Sequence, residues 1–266
     1  MRTTHWFTIG MLAILLGGCA GVRTAPTQEE KQALAPTGKL RVGVLTINPM
    51  HVTKDPASGE LKGTAVDVGK ELARRIGVPF QLVSYTSVAA VIGSVNSGHW
   101  DVVLFGINPR TTKLLDFSAP YMEAEASYLV RPGSSISALS DVDRTGIRIA
   151  VQSKGGADVF LSRTLKNATL VRVSTFNDGL EALRSGNADA LAALKTFLFP
   201  GMAKLPGSRV LEGRLFAEPI GIGVPKGRAL SAAYVRKYVE DVKSEGLVKN
   251  SIAKAGLRGV VVAPLK

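Results

Sequence analysis

The chain has 266 residues, 45% of them hydrophobic and 20% charged, enough to bury one sizeable core or two smaller ones, which excludes a wholly disordered polymer. Its 28 glycines and 13 prolines follow no Gly-X-Y period, so collagen-like and low-complexity classes are excluded too. Lysine and arginine number 33 against 21 acidic residues, a formal +12 that leaves a nucleic acid, an anionic membrane surface or an acidic ligand open as partners, while the single cysteine, Cys19, excludes a disulfide framework and any multi-cysteine metal site.

The first residues are Met1-Arg2-Thr3-Thr4-His5, followed by an apolar run over residues 6–16 and then Gly17-Gly18. A short basic start, an apolar run and small residues before a break describe a secretory signal peptide over residues 1–18. The run falls short of the roughly 20 apolar residues that span a bilayer. Leu16-Gly17-Gly18-Cys19 resembles the lipobox of bacterial lipoproteins, which implies lipidation of Cys19 and anchoring on the periplasmic face of the cell envelope. The alternative is an ordinary cleaved signal with an incidental cysteine. Residues 19–37, rich in Thr, Pro, Gln and Glu after the cysteine, read as a flexible tether. The positive charge is spread over the rest of the chain with no basic run and no basic stretch interleaved with aromatics, so no nucleic acid is expected.

From Lys39 the pattern alternates. Residues 40–44 read as a strand, 46–63 as a loop, and 66–76 as a helix with Val68, Leu72 and Ile76 on one face and Gly77 and Pro79 ending it. Residues 80–83 form a strand, 87–97 a helix, and 101–105 a strand apolar enough to be covered on both faces. The second half repeats the design with strands over 148–152, 170–173 and 190–194 and helices over 158–165 and 178–184. Ser97-Gly98-His99-Trp100-Asp101 and Ser185-Gly186-Asn187-Ala188-Asp189 stand at matching points, each between a helix and a strand. A strand at 220–224, a helix over about 230–244 and a shorter helix after Gly246 close the chain and cannot form a core alone. The expected architecture is α/β and bilobed: two parallel-rich sheets flanked by helices and joined by a two-strand hinge, with crossings near 121–126 and 216–220. Residues 38–122 and 217–266 form the first lobe and 123–216 the second, with a ligand cleft between them.

Gly63-Thr64-Ala65-Val66-Asp67, Gly106-Ile107-Asn108-Pro109-Arg110, Asp116-Phe117-Ser118-Ala119-Pro120-Tyr121 and Asp189-Ala190 resemble the extracytoplasmic solute-binding proteins of family 3, which serve polar amino-acid ABC importers. The resemblance covers roughly residues 39–264. It implies a type II periplasmic-binding-protein fold, a small carboxylate-bearing solute, an ABC permease in the inner membrane as partner, a monomer, and no cofactor or metal.

The family places an arginine five residues before the aspartate of the Asp-Phe-Ser block, where its planar fork holds the ligand carboxylate. Thr111 stands there in this chain, so either Arg110 serves in its place or the clamp is lost. Asn108 replaces a threonine that contacts the carboxylate; its amide does similar work or caps the turn with Pro109. The aspartate expected shortly after Asp189-Ala190 is absent, and Lys195 there would attract an anion or is a surface lysine. Gln152, Ser153, Gly155 and Gly156 lie where the family binds the carboxylate with backbone N–H groups at a helix start. Met50 in the first loop is an adaptable apolar wall or core, and Asp67 a helix-start carboxylate that satisfies backbone donors or orients cleft groups. The enzyme alternative, such as a cyclic-acid dehydratase on the same fold, would draw an acid or base from His51, Asp67, Glu123 and Glu125, but no catalytic motif emerges. A ligand-sensing binding protein would use the same cleft.

Overall fold

In the computed structural model, which describes residues 25–46, 48–55 and 57–266, the chain opens with helix α1 (Gln28–Leu34), strand β1 (Leu40–Leu45) and the short hairpin β2 (Thr53–Lys54) and β3 (Leu61–Lys62). It continues through α2 (Thr64–Ile76), β4 (Phe80–Tyr85), α3 (Val88–Gly93), β5 (Val102–Gly106), β6 (Leu115–Phe117) and β7 (Met122–Val130). The second repeat holds β8 (Arg148–Gln152), α4 (Gly156–Thr164), β9 (Thr169–Val173), α5 (Phe176–Arg184), β10 (Ala190–Leu194), α6 (Lys195–Ala203) and β11 (Arg209–Val210). The return consists of β12 (Ala217–Pro225), α7 (Ala229–Ser244), α8 (Leu247–Lys254) and β13 (Val260–Val262). The signal over residues 1–18 and the lipidated Cys19 lie outside the described residues. Among the described residues no helix is long and apolar enough to cross a membrane.

Local chemistry accounts for the element ends. Helix α2 buries Val68, Leu72 and Ile76 as the periodicity demands and stops at Gly77, whose φ of 68° is left-handed and whose N–H bonds back to the Ala73 carbonyl. Thr175 and Asp178 form a reciprocal capping box at the start of α5. Helix α3 is shorter than the expected 87–97, because the Ser94 hydroxyl bonds back to the Val91 carbonyl and receives the Trp100 indole N–H at 2.8 Å. The tether reading of residues 19–37 needs correction at its end. Thr27 and Glu30 form a capping box, and Leu34 and Ala35 bury in the first-lobe core, so the polar composition conceals a packed helical turn. The loop 46–63 likewise contains the β2–β3 hairpin.

Hydrogen-bonded strands run in the order β4-β1-β5-β12-β7-β10-β8-β9. Two parallel half-sheets are thus joined through β12 and β7 into one continuous ladder, the two-strand junction that the sequence suggested. Each half-sheet is covered on both faces. In the first, α2, α7 and α8 pack over Val42, Val44, Leu104 and Ile222, and Trp100, Val91 and Phe105 form a cluster on the other side. In the second, one cluster gathers Ile149, Val151 and Leu161 and the other Ala150, Leu180 and Leu191. Burial on both faces is why these strands read as near-continuous apolar runs.

The repeated punctuation of the two halves is a repeated staple. Asp101, just before β5, accepts the Arg41 backbone N–H at 2.9 Å and its guanidinium at 3.1 and 2.7 Å, and the same guanidinium reaches the Gly98 carbonyl. In the second lobe Asp189 accepts the Arg148 backbone N–H at 3.0 Å and its guanidinium at 3.1 and 3.2 Å, while that guanidinium reaches the Gly186 carbonyl. Gly98 and Gly186 have φ of 68° and 73°, a conformation that costs a side-chain-bearing residue free energy. Each staple fixes the amino end of a central strand against its neighbour. The Asp101 side chain is 0% exposed and Arg41 15%, against 12% and 42% for Asp189 and Arg148. Removing one partner of a buried pair costs about 3 kcal/mol or more, and a more exposed pair costs about 1 kcal/mol. Asp101→Ala is therefore expected to destabilise the protein by about 3 kcal/mol and Asp189→Ala by clearly less in urea unfolding; equal losses would contradict the burial argument.

Candidate functional site

In each half-sheet the parallel strands deliver their following loops to one edge: β4, β1 and β5 in the first lobe, β9, β8 and β10 in the second. Ile220 of β12 lies opposite Gly106 at the end of β5, and Ala126 of β7 lies opposite Leu194 at the end of β10. Both carboxyl edges therefore border the crossing strands, the position at which open α/β sheets hold ligands.

The loop after β5 is a tight polar turn. Asn108 Oδ1 accepts the N–H groups of Arg110 and Thr111 at 3.0 and 3.1 Å, so its carbonyl caps the turn. Thr111 is buried, accepts the Asn108 N–H and donates to the Gly106 carbonyl at 2.9 Å. The position that the family resemblance reserves for an arginine is thus spent on holding the loop. Arg110 is exposed next to it, and its guanidinium has no hydrogen-bond or ion-pair partner among the described residues. In the loop after β1, Met50 is 2% exposed and packs in the first-lobe core, which corrects its assignment as a cleft wall. Its neighbour His51 is buried too, its Nδ1 has no partner, and burial pushes the imidazole down to about 4. Asp67 accepts the Ser251 hydroxyl at 2.6 Å and ties α2 to α8, a structural use of its carboxylate.

The second lobe contributes the segment between β8 and α4. Ser153 donates its N–H to Val173, Gln152 donates its side-chain amide to the Ser174 carbonyl at 3.3 Å, and Gly155 bonds back to the Gln152 carbonyl. Lys154 adopts φ of 63°, held by its N–H to Asp158 Oδ2 at 2.8 Å. Burial disfavours the charge of Asp158, but the Lys154 N–H, the Ser162 hydroxyl and the Arg172 guanidinium together keep its carboxyl below the usual range. Gly155 caps α4 without a side-chain bond, so no capping side chain occupies the amides of its first turn, where Gly156 is exposed. Lys195 differs from the expectation of a free anion-seeking cation: its ammonium pairs with Glu125 at 2.7 Å. Glu123 meets Arg214 at 3.8 Å, so both first-crossing glutamates serve the hinge.

Sequence reasoning missed the floor of the gap. Glu218, on β12, carries a half-buried carboxylate with no hydrogen-bond or ion-pair partner among the described residues, and burial pushes its carboxyl above the ordinary glutamate range. A Cβ on Gly106 would stand 2.5 Å from one carboxylate oxygen, and a Cβ on Gly156 would stand 4.0 Å from the other. Phe216, stacked on Phe160 at 4.9 Å, lies 3.6 Å from that same point on Gly156. The available signal was an acid directly before Pro219 at the head of an apolar strand, inside the stretch read as the second crossing. Beside the hinge, a cavity of about 190 Å³ is lined by Pro49, Lys195, Thr196 and Phe199, and Arg258 stacks on the Phe199 ring at 3.5 Å.

The model of the bacterial extracellular solute-binding proteins, family 3, matches residues 40–255. The ABC transporter glutamine-binding protein GlnH of Bacillus subtilis is 28% identical over 244 residues, covering 88% of this chain and 89% of the relative. The crystal structure of a P235GK mutant of the arginine-binding protein ArgBP from T. maritima superposes with a TM-score of 0.67 at 27% identity, covering 85% of this chain and 99% of that one. The ancestral amino acid-binding protein AncCDT-1, described as a precursor of cyclohexadienyl dehydratase, superposes with a TM-score of 0.67 at 25% identity and covers 84% of this chain and 98% of that one.

The buried His51 gives the first-lobe loop a pH signature. Its folded-state pKa, about 4, lies below the ordinary value of 6.5, so the unfolded chain takes up the proton first as the pH falls. The stability that His51 contributes is complete above pH 6.5 and declines between 6.5 and 4 by up to about 3 kcal/mol. Unfolding of His51→Gln across that range is expected to lack this component; an unchanged slope would contradict it.

Proposed function

The chain belongs to the bacterial extracellular solute-binding proteins of family 3, and from that membership we propose that it captures an amino acid, carboxylate and ammonium both engaged, in the gap bordered by β5, β8 and the crossing strands. It is a binding protein for a small polar solute, acting outside the cytoplasm for an ABC transporter, as its relatives do. The observation that supports this site is the convergence of both lobes' strand ends on one crossing: β5 ends beside β12 and β10 ends beside β7. Arg110 and the first-turn amides of α4, with Gly155 and Gly156 allowing close approach and Gln152 and Ser153 at the rim, supply groups suited to a carboxylate. The β7 and β12 crossings act as the hinge about which residues 123–216 move against residues 38–122 and 217–266.

The protein works as a monomer tethered through lipidated Cys19 after removal of residues 1–18. It delivers its solute to a permease in the inner membrane. Several acyl chains at about 0.8 kcal/mol per buried CH₂ hold such a domain firmly.

A thermal-shift screen of amino acids tests the reading. A cognate solute at about 100 times its Kd should stabilise the protein by about 2.7 kcal/mol. No shift with any amino acid, together with turnover of a cyclic acid by the pure protein, would overturn it in favour of an enzyme. Cys19→Ser is expected to move the protein from the membrane fraction to the soluble one; retention on the membrane would refute the anchor.

A further inference from the structure

We propose that the Glu218 carboxylate receives the ammonium group of the solute, supplying from the crossing strand an acid that the second lobe does not offer after Asp189-Ala190. The inference rests on the amino-acid reading above and names the group that makes it selective. At the end of β10 this chain carries Leu194 and then Lys195, whose charge is already spent on Glu125. The other acids near the crossing and the start of α4 are engaged: Glu123 with Arg214, Glu125 with Lys195 and Asp158 with Arg172. Glu218 alone among these acids lacks a cationic partner within the described residues.

Its surroundings fit a ligand group better than a structural one. The two carboxylate oxygens are bracketed by Gly106, the last residue of a first-lobe strand, and Gly156, the first of a second-lobe helix. Neither neighbour projects a side chain, and a methyl group on Gly106 would collide with the carboxylate. A carboxylate kept partly out of water without a partner destabilises the solute-free protein, and a cation placed against it removes that cost. An ammonium at Glu218 would also stand within reach of the start of α4, so that the carboxylate on the same carbon of an α-amino acid meets the helix amides. The Phe216 ring closes the second-lobe side of the same space.

The test is calorimetric titration of the wild-type protein and Glu218→Gln with the common L-amino acids and, for each that binds, its desamino counterpart, in which hydrogen replaces the ammonium group. The expected result is that wild type prefers the amino acid by about tenfold or more, that Glu218→Gln loses this factor, and that affinity for the desamino acid changes little. Solute-free Glu218→Gln should melt no lower than wild type, because the charge it removes has no partner to lose. Undiminished preference in Glu218→Gln would overturn the proposal while leaving the amino-acid reading standing. Equal weakening toward both compounds, with a lowered solute-free melt, would assign Glu218 a structural role and overturn it as well. A wild-type protein that binds no amino acid would overturn the amino-acid reading, and this assignment with it.

Discussion

Strand β7 pairs antiparallel with β12 over residues 122–125 and with β10 over residues 126–130, so a single strand belongs to both half-sheets. The site depends on that arrangement. Because β12 also runs beside β5, the ladder fixes where the carboxyl end of β5 stands relative to the carboxyl end of β10. Backbone hydrogen bonds hold the crossing laterally, while only two strands carry the main connection between the lobes, a geometry suited to bending. At the crossing β13 also pairs with β7, Val260 opposite Ala124, and Arg258 just before it stacks on Phe199 of the second lobe.

The Arg41–Asp101 and Arg148–Asp189 staples hold the opposite ends of the same strands. Each couples a backbone N–H, a guanidinium and a left-handed glycine into one knot at the amino edge, leaving the carboxyl edge to the loops. Stability and recognition are thereby separated along each strand. The loops spend their polar groups locally, as at Asn108 and Thr111, or leave them without a side-chain partner, as at Arg110 and the start of α4. Charge follows the same division. Lysine and arginine side chains near the hinge are mostly neutralised by neighbouring acids, so the excess of positive charge says little about the solute, and the unpaired groups Arg110 and Glu218 say more.

The alternation of strands and helices was legible because its causes are local: the apolar spacing of Val68, Leu72 and Ile76, the stop at Gly77, and the apolar core strands. The echo of Ser97–Asp101 in Ser185–Asp189 was legible as well, although its meaning, an arginine staple, needed the partner arginine some 60 and 41 residues away. Pairs so distant leave no trace in periodicity. For Met50 the sequence leaves an apolar cleft wall and a core position equally open, and only the packing of its loop on the first-lobe core selects the second. Lys195 reads as an anion-seeking or surface lysine because its partner, Glu125, lies 70 residues away on β7. Glu218 escaped notice because its importance lies in what does not pair with it.

The proposed site works only if the gap between the lobes closes on an amino acid. Cys19 is the only cysteine, so a soluble form lacking it can be labelled at Thr112→Cys in the first lobe and Val159→Cys on α4, both at exposed positions. The distance between the two labels, measured with and without a saturating amino acid that raises the melting temperature, tests the claim directly. A shorter and narrower distribution is expected when the solute is bound. An identical distribution in both states would contradict it.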